Sequence, residues 1–409
     1  MLNNIKSIYI MENILEKITY IRKLNLIKYN KAISDRLDIK LEDYKNEFYK
    51  IFKITFKVEI NTLNIDEIKL NKKNIDDKKL EFLCKIGFDS LKAMYLNDNK
   101  IINIQPLKEA YFKRIKYLNL SSNQILNIDS LIHANFTELR ILYLMDNKIS
   151  DISILSNQNF SNLKELNLGK NNISKISVLR DAHFQKLNVL ILNNNKISDI
   201  YVLKDLNCPE LKILDLNNNE IEDINVLKGV KFKELKVLYL KGNKIVYIDE
   251  LKHTNFPKLK DLNLNNNKIS DIKVLQKVNF KKLKFLNLGH NKLSKIDIFK
   301  FVNFKELTEL NLKFNEISDI KPLLNPNFRK IRRLNLTGNK ELYNINKYRS
   351  GDYPYTYDPW KILIVKKFEK YFKKLKISLD VKRKRKFSKK KDKINSKKRE
   401  KIMRKKRKK

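Results

Sequence analysis

The chain has 409 residues, 42% of them hydrophobic, and its 88 Lys and Arg outnumber its 46 Asp and Glu to give a formal net charge of +42. This charge favours anionic partners, although part of it reflects the abundance of Lys, Asn and Ile along the whole chain. No run reaches the roughly 18 apolar residues of a membrane span, and two cysteines are too few for a disulfide-rich secreted scaffold.

Residues 1–62 precede the regular part of the chain and place apolar residues at helical spacing. Ile14, Ile18 and Ile21 form one such series, and Phe48 and Ile51 belong to a later one. We expect a helical N-terminal cap or, as the alternative, a separate partner-binding helical module. Charged residues interrupt every apolar run, so no secretory signal is recognisable and the sequence predicts an intracellular protein, cytoplasmic or, in a eukaryote, nuclear.

Residues 63–87 resemble the regular rows that follow but are degenerate. Ile68 and Leu70 keep the pattern, whereas Lys73 stands where an Asn is expected. Asp76 is suited to cap a helix that runs through Leu80 and Leu83. We therefore expect a capping repeat, because the terminal unit of a repeat array must differ on its outer side.

Residues 88–342 contain eleven rows that repeat every 24 residues, the last of them incomplete. Each row has an Asn in the same column, and a Phe stands eleven residues earlier in every row but one, where it is Cys208. The Asn column contains Asn99, Asn123, Asn147, Asn171, Asn195, Asn219, Asn243, Asn267, Asn291, Asn315 and Asn339. A row reads F-x-x-L-x-x-L-x-L-x-x-N-x-I-x-x-I-x-x-L, which predicts one coil of a solenoid per row.

The L-x-L segment of each row predicts a short strand. In the row of Asn171, Leu166 and Leu168 point inward while Glu165 and Asn167 face out. The buried Asn side chain is expected to bond the backbone groups that the following turn leaves unpaired. The fold class predicted is an α/β solenoid: a curved array of about eleven coils, with a parallel sheet on the concave face and short turns or helices on the convex face.

These rows resemble the leucine-rich-repeat family. The extension N-x-I-S-D-I-x-x-L, present at residues 147–155 and 267–275, is similar to the short-repeat class that includes protein phosphatase-1 regulatory subunits and bacterial internalins. The resemblance implies the fold and leaves the function open. It also suggests, by analogy alone, a regulatory subunit of a phosphatase.

Residues 343–381 and 382–409 differ from the repeats and from each other. The first segment is rich in Tyr, and Asp358 and Pro359 can begin a C-terminal capping helix. The second segment has 19 Lys or Arg against two acidic residues and is expected to be disordered. Its clusters could bind anions: Lys382, Arg383, Lys384, Arg385, Lys386, Arg404, Lys405, Lys406 and Arg407. Nucleic-acid binding or nuclear targeting, attraction to an anionic membrane, and a merely solvated tail are the alternatives.

The outward positions of the predicted strands vary from row to row, as a recognition surface requires. Many are aromatic or aliphatic: Tyr95, Tyr117, Ile141, Tyr143, Met145, Val189, Ile191, Ile213, Val237, Tyr239 and Phe285. Exposed aromatic groups on one face indicate protein binding. The alternative is that strand-favouring residues simply occupy strands.

Catalysis finds no support in the sequence, which indicates no enzyme, no cofactor and no metal site. The four His residues fall at unmatched positions, and no Gly-rich phosphate loop occurs. Carboxylates such as Asp151, Asp199, Asp223, Asp271 and Asp319 share one turn position, which is typical of turn formers.

The leading hypothesis is therefore a non-enzymatic protein-binding scaffold that uses the concave face, with a partner whose identity the sequence does not reveal. The rival is a nucleic-acid-associated protein that acts through its tail and through the basic residues just before each strand. This basic flank contains Lys92, Lys116, Arg140, Lys164, Lys212, Lys236, Lys260, Lys284 and Arg332.

Overall fold

The computed structural model describes residues 41–339, except residues 87, 111, 113, 135, 158 and 159. The described residues form two compact units. The first contains residues 41–221 and 229–235, and the second contains residues 222–228 and 236–339. The predictions for residues 1–40, for the aromatic segment 343–381 and for the basic tail 382–409 lie outside the described residues.

In the first unit, three-residue strands pair in parallel and in sequence order, as the L-x-L pattern predicts. The middle residue of each strand is buried, and Leu118, Leu142 and Leu166 lie side by side in neighbouring strands. The strands described here are β1 (Glu67–Lys69), β2 (Ala93–Tyr95), β3 (Tyr117–Asn119), β4 (Ile141–Tyr143), β5 (Glu165–Asn167), β6 (Val189–Ile191) and β7 (Ile213–Asp215).

The second unit repeats this arrangement with the same pairing and the same 24-residue offset. Its described strands are β8 (Val237–Tyr239), β9 (Asp261–Asn263), β10 (Phe285–Asn287), β11 (Glu309–Asn311) and β12 (Arg333–Asn335). The Phe column fills the core of both units, since its members from Phe88 to Phe328 are at most 2% exposed, and Cys208 is equally buried in its place.

Apart from α1, which precedes β1, the helices connect successive strands. The described α-helices are α1 (Leu41–Phe56), α2 (Asp77–Cys84) and α3 (Ser130–His133). The described 3-10 helices are Gln105–Glu109, Ser153–Ser156, Ser177–Asp181, Tyr201–Lys204, Asn225–Gly229, Asp249–His253, Lys273–Gln276, Asp297–Lys300, Lys321–Leu324 and Pro326–Phe328. Asp76 caps α2 as predicted, because its Oδ1 accepts a hydrogen bond of 2.9 Å from the Lys79 amide.

One face of α1 consists of aromatic side chains that pack against the first coil. Phe48, Phe52 and Phe56 are fully buried. The Phe52 ring lies edge-on to Phe88 with 6.3 Å between the ring centroids, and Phe56 lies 5.9 Å from Phe82 of α2. These contacts cover the apolar interior beside β1, the first strand in the described part of the chain.

The predicted role of the Asn column is confirmed. Asn171 Nδ2 donates to the carbonyl oxygens of Leu168, at 3.1 Å, and of Leu144 in the preceding coil, at 3.0 Å. Its Oδ1 accepts from the Ile149 amide of that coil at 3.0 Å. One carboxamide thus satisfies backbone groups of two coils at once.

The Asp residues expected as turn formers begin the 3-10 segments. Asp151 Oδ1 accepts from the Ser153 amide at 2.8 Å, and Asp199 Oδ1 accepts from the Tyr201 amide at 2.7 Å. The same bond recurs at Asp223, Asp271 and Asp319. These carboxylates therefore have a local structural role on the outer side of each coil.

Replacing a buried Asn should destabilise the array far more than replacing its exposed neighbour. We expect Asn171→Ala to lower the free energy of unfolding by about 1–3 kcal/mol, because buried backbone groups of Leu144 and Ile149 lose their partner. Asn172→Ala is the matched control, since Asn172 is exposed. Urea unfolding followed by circular dichroism measures both, and equal midpoints for the two variants would contradict the assignment.

Candidate protein-binding face

Each strand presents its first and third residues on the side away from the core, and we call this side the strand face. Its residues are half-buried in nearly every strand, because they pack against the matching residues of neighbouring strands. All eleven sequence-predicted binding residues lie on this face or, for Met145, just beyond it. Eight belong to the first unit, whereas Val237, Tyr239 and Phe285 belong to the second.

Three tyrosines of adjacent strands form a cluster in the first unit. The ring centroids of Tyr95 and Tyr117 are 4.6 Å apart, and those of Tyr117 and Tyr143 are 5.6 Å apart in an edge-to-face arrangement. The Lys69 ammonium lies 5.8 Å from the centroid of the Tyr95 ring. These mutual contacts hold the rings in place, so the Tyr cluster offers contact area that is already ordered.

The hydroxyl of Tyr143 donates a 2.5 Å hydrogen bond to Oε2 of Glu165 on the next strand. Burial, reinforced by this carboxylate, raises the pKa of the Tyr143 phenol above its usual range. The second unit contains the same pairing, in which Tyr239 donates to Oδ2 of Asp261 at 3.0 Å. In both units the acidic residue follows the Tyr by 22 positions, which places the two side chains on adjacent strands.

Beyond Glu165 the strand face of the first unit becomes aliphatic. Val189 of β6 lies in register with Ile213 of β7, and Ile191 lies in register with Asp215. We call Val189, Ile191 and Ile213 the aliphatic patch. Asp215 Oδ1 accepts a 2.9 Å bond from the Asn217 amide, and burial raises the pKa of its carboxyl group.

The strand face of the second unit is more polar. Asn263 accepts a bond from the backbone amide two residues later, and Asn287, Asn311 and Asn335 repeat it. Phe285 is the exception, with 38% of its surface exposed. Tyr239 and Val237 therefore stand at the boundary between aromatic and amide-lined positions along the sequence.

The sequence-based site omitted the carboxylates of the strand face. Glu165 and Asp215 in the first unit, and Asp261 and Glu309 in the second, occupy outward strand positions among the predicted residues. The sequence does indicate them, because acidic residues recur at outward strand positions of a strongly basic chain. Exposed aromatic and aliphatic residues, on which the sequence-based site rested, do not include them.

The basic flank lies one residue before the strands, as the sequence predicts. Lys92 forms an ion pair with Asp66 at 3.0 Å and Lys116 with Glu138 at 3.2 Å. Lys164, Lys260 and Lys284 are exposed. The flank therefore carries positive charge beside a strand face whose charged groups are mostly acidic.

The described residues contain no group suited to hold a metal ion. No three His, Cys, Asp or Glu side chains among them converge to hold a metal ion. Cys84 and Cys208 are buried and unpaired, and burial raises the pKa of the Cys208 thiol to about 12. No helix in the described part of the chain has the length and apolar character needed to cross a bilayer.

A family model described as leucine-rich repeats, in two copies, matches the chain four times, at residues 137–181, 185–229, 233–277 and 281–325. The repeats are leucine-rich repeats. The predicted fold class, an α/β leucine-rich-repeat solenoid, is therefore confirmed. Proteins built from leucine-rich repeats are generally protein-interaction scaffolds.

Solved leucine-rich-repeat structures agree with this assignment. An internalin from Listeria monocytogenes matches with a TM-score of 0.54 and 27% identity, over 72% of this chain and 88% of that one. A leucine-rich-repeat protein of Leptospira interrogans, at 20% identity, shares the fold with a TM-score of 0.53 over 68% of this chain and 81% of that one. No curated protein sequence matches the chain.

The burial of Asp215 leads to a pH-dependent prediction. Its raised pKa means that the folded state holds the charged form less readily than the unfolded state does, so the charge destabilises the fold above the folded-state pKa. We expect Asp215→Asn to raise the urea midpoint at pH 7. The Asn keeps the bond to the Asn217 amide, as Asn167 does for Gly169.

The gain should shrink as the pH falls through the folded-state pKa and vanish below about 3.9, the usual pKa of an unfolded Asp. Comparing variant and parent at each pH cancels the titration of all other groups. A gain that stayed constant from pH 7 to pH 4 would contradict an effect of charge burial.

Proposed function

We propose that this chain is a non-enzymatic protein-binding scaffold whose strand face in the first unit contacts the partner. The Tyr95–Tyr117–Tyr143 cluster is the observation that carries the proposal. A surface without a partner has no need of three adjacent aromatic rings facing solvent, and Tyr is enriched where proteins bind each other.

Packing within the Tyr cluster favours binding for an energetic reason. Each ring is already fixed by its neighbour, and Tyr143 is fixed further by its bond to Glu165. A partner therefore loses little of its binding free energy to ordering these side chains. The aliphatic patch continues the contact surface on β6 and β7.

Replacing two tyrosines of the Tyr cluster should weaken capture of the partner. We expect the double variant Tyr117→Ser/Tyr143→Ser, purified as the full chain, to bind the partner at least about 30-fold more weakly, as expected for the loss of a binding hot spot. The control is Tyr247→Ser, since Tyr247 is 73% exposed and lies outside the strands. Capture of the same cellular proteins by the folded double variant and the parent would refute the proposal.

The second candidate function, nucleic-acid association, draws support from exposed members of the basic flank, such as Arg140, Lys164 and Lys260, and from the tail. The phosphatase-subunit hypothesis rests on resemblance alone. We place the protein inside the cell because Cys84 and Cys208 are buried as free thiols and supply no disulfide cap to the array.

Salt dependence separates nucleic-acid association from protein binding. If the flank and tail bind phosphates, affinity for duplex DNA should fall steeply with salt, with a log-log slope near −0.9 per phosphate contact, and deletion of residues 382–409 should reduce that slope. Binding that is equal with and without the tail and insensitive to salt would exclude this candidate.

A further inference from the structure

Basic residues are absent from the strand face along ten consecutive strands. The outward positions of β2–β11 number 20 and include four acidic residues but no Lys or Arg. In a chain where 88 of 409 residues are basic, about four would be expected there by composition alone. The strand face of β2–β11 is therefore poorer in basic residues than the chain as a whole, and the only basic residues at outward positions of the described strands are Lys69 of β1 and Arg333 of β12.

Strand propensity does not account for the absence either. Lys is disfavoured in strands, but Asp and Asn are disfavoured at least as strongly. Through β2–β11 the strand face nevertheless retains Asp215, Asp261 and several Asn residues while it contains no Lys. Lys is common one residue earlier, in the basic flank, so the exclusion is confined to the face itself.

In the first unit, two carboxylates bracket the aliphatic patch. Glu165 lies in register with Val189 and then Ile213, and Asn167 lies in register with Ile191 and then Asp215. Two strand spacings, about 10 Å, separate β5 from β7. The aliphatic patch is thus about as long as one extended side chain, with Glu165 at one end and Asp215 at the other.

Neither carboxylate is neutralised within the described residues. Glu165 accepts the Tyr143 hydroxyl through Oε2, and Asp215 accepts the Asn217 amide through Oδ1. No ion pair joins either group to a cation in the described part of the chain. The second oxygen of each group remains for another donor, and each partly buried charge would be stabilised by a cation brought to it.

We propose that the aliphatic patch is a docking surface for one Lys or Arg side chain of a partner protein, with Glu165 or Asp215 binding the cationic head. The inference rests on the proposed scaffold function. A Lys or Arg side chain matches the surface because an apolar stem carries its charge. The Tyr cluster beside Glu165 adds a cation–π surface, as Lys69 illustrates over Tyr95.

The net charge of the whole chain indicates the charge that the partner carries. A net charge of +42 and the exposed basic flank attract an acidic protein and repel a basic one. The partner is therefore an acidic protein that presents a basic side chain at the centre of its contact surface. The Tyr239–Asp261 pair is a second Tyr–carboxylate arrangement of the same kind, in the second unit.

A random peptide library displayed on phage tests the inference with the full-length chain as bait at ~150 mM salt, where contacts between distant surface charges are screened. Two baits are compared with the parent. Glu165→Gln/Asp215→Asn removes the two face charges and keeps both hydrogen-bond acceptors. Glu210→Gln/Asp181→Asn makes the same charge change at exposed positions off the face.

We expect the parent and the off-face variant to enrich the same peptides, each with one Lys or Arg beside acidic residues, and the face variant to lose them. A resynthesised peptide with citrulline in place of Arg should bind about tenfold more weakly, because it keeps the shape and loses the charge. Peptides that bind the Lys flank alone would be acidic and would be retained equally by all baits.

The outcomes separate this inference from the proposed function. If the enriched peptides contain no Lys or Arg and are no longer bound by the Tyr143→Ser variant, cation docking is refuted, while the proposed scaffold function is unaffected. Retention of basic peptides by the face variant would also overturn it. A parent that enriches no peptide dependent on the face would count against both.

Discussion

The hydrogen bonds of the buried Asn column are the constraint on which the rest of each unit depends. A three-residue strand forms too few backbone bonds to hold a coil by itself, and each coil buries its Leu side chains only against its neighbours. Asn147 bonds the carbonyl oxygens of Leu144 and of Leu120, and its Oδ1 accepts from the Ile125 amide. Because one side chain closes its own turn and fastens the preceding coil, the core columns carry the stability and the strand face is free to vary.

The turn before each Asn imposes a second constraint, a backbone with positive φ. Asp, Ser, Asn or Gly supplies it in most coils, but Phe314 adopts φ 50° despite its bulk. Its ring stacks on His290 with 4.5 Å between the centroids, and it lies against Gly338, where a Cβ atom would come within 2.4 Å of the ring. Gly338 is therefore required by the neighbouring coil as well as by its own φ of 82°.

The sequence predicted the fold well because the 24-residue period determines how the strands pair. A fixed period of 24 residues determines which Leu, Phe and Asn residues stack, so strand order, the buried columns and the role of Asn171 all followed. The site followed only in part. The bonds from Tyr143 to Glu165 and from Tyr239 to Asp261 join different columns, and only the side-chain geometry reveals them. The sequence showed which residues face out, but it could not show that the tyrosine rings contact one another.

In a strongly basic chain, the charge at one strand position is informative only when it is compared with the charge at other positions. The flank and the strand face are one residue apart in sequence, yet one is rich in Lys and the other, through β2–β11, has none. A general bias toward Lys would fill both columns. Since burial raises the pKa of the Asp215 carboxyl group, its charge opposes folding at neutral pH, and the presence of an Asp where an Asn could make the same hydrogen bond indicates a benefit outside folding. Binding is the benefit that a solvent-facing surface of a scaffold can provide.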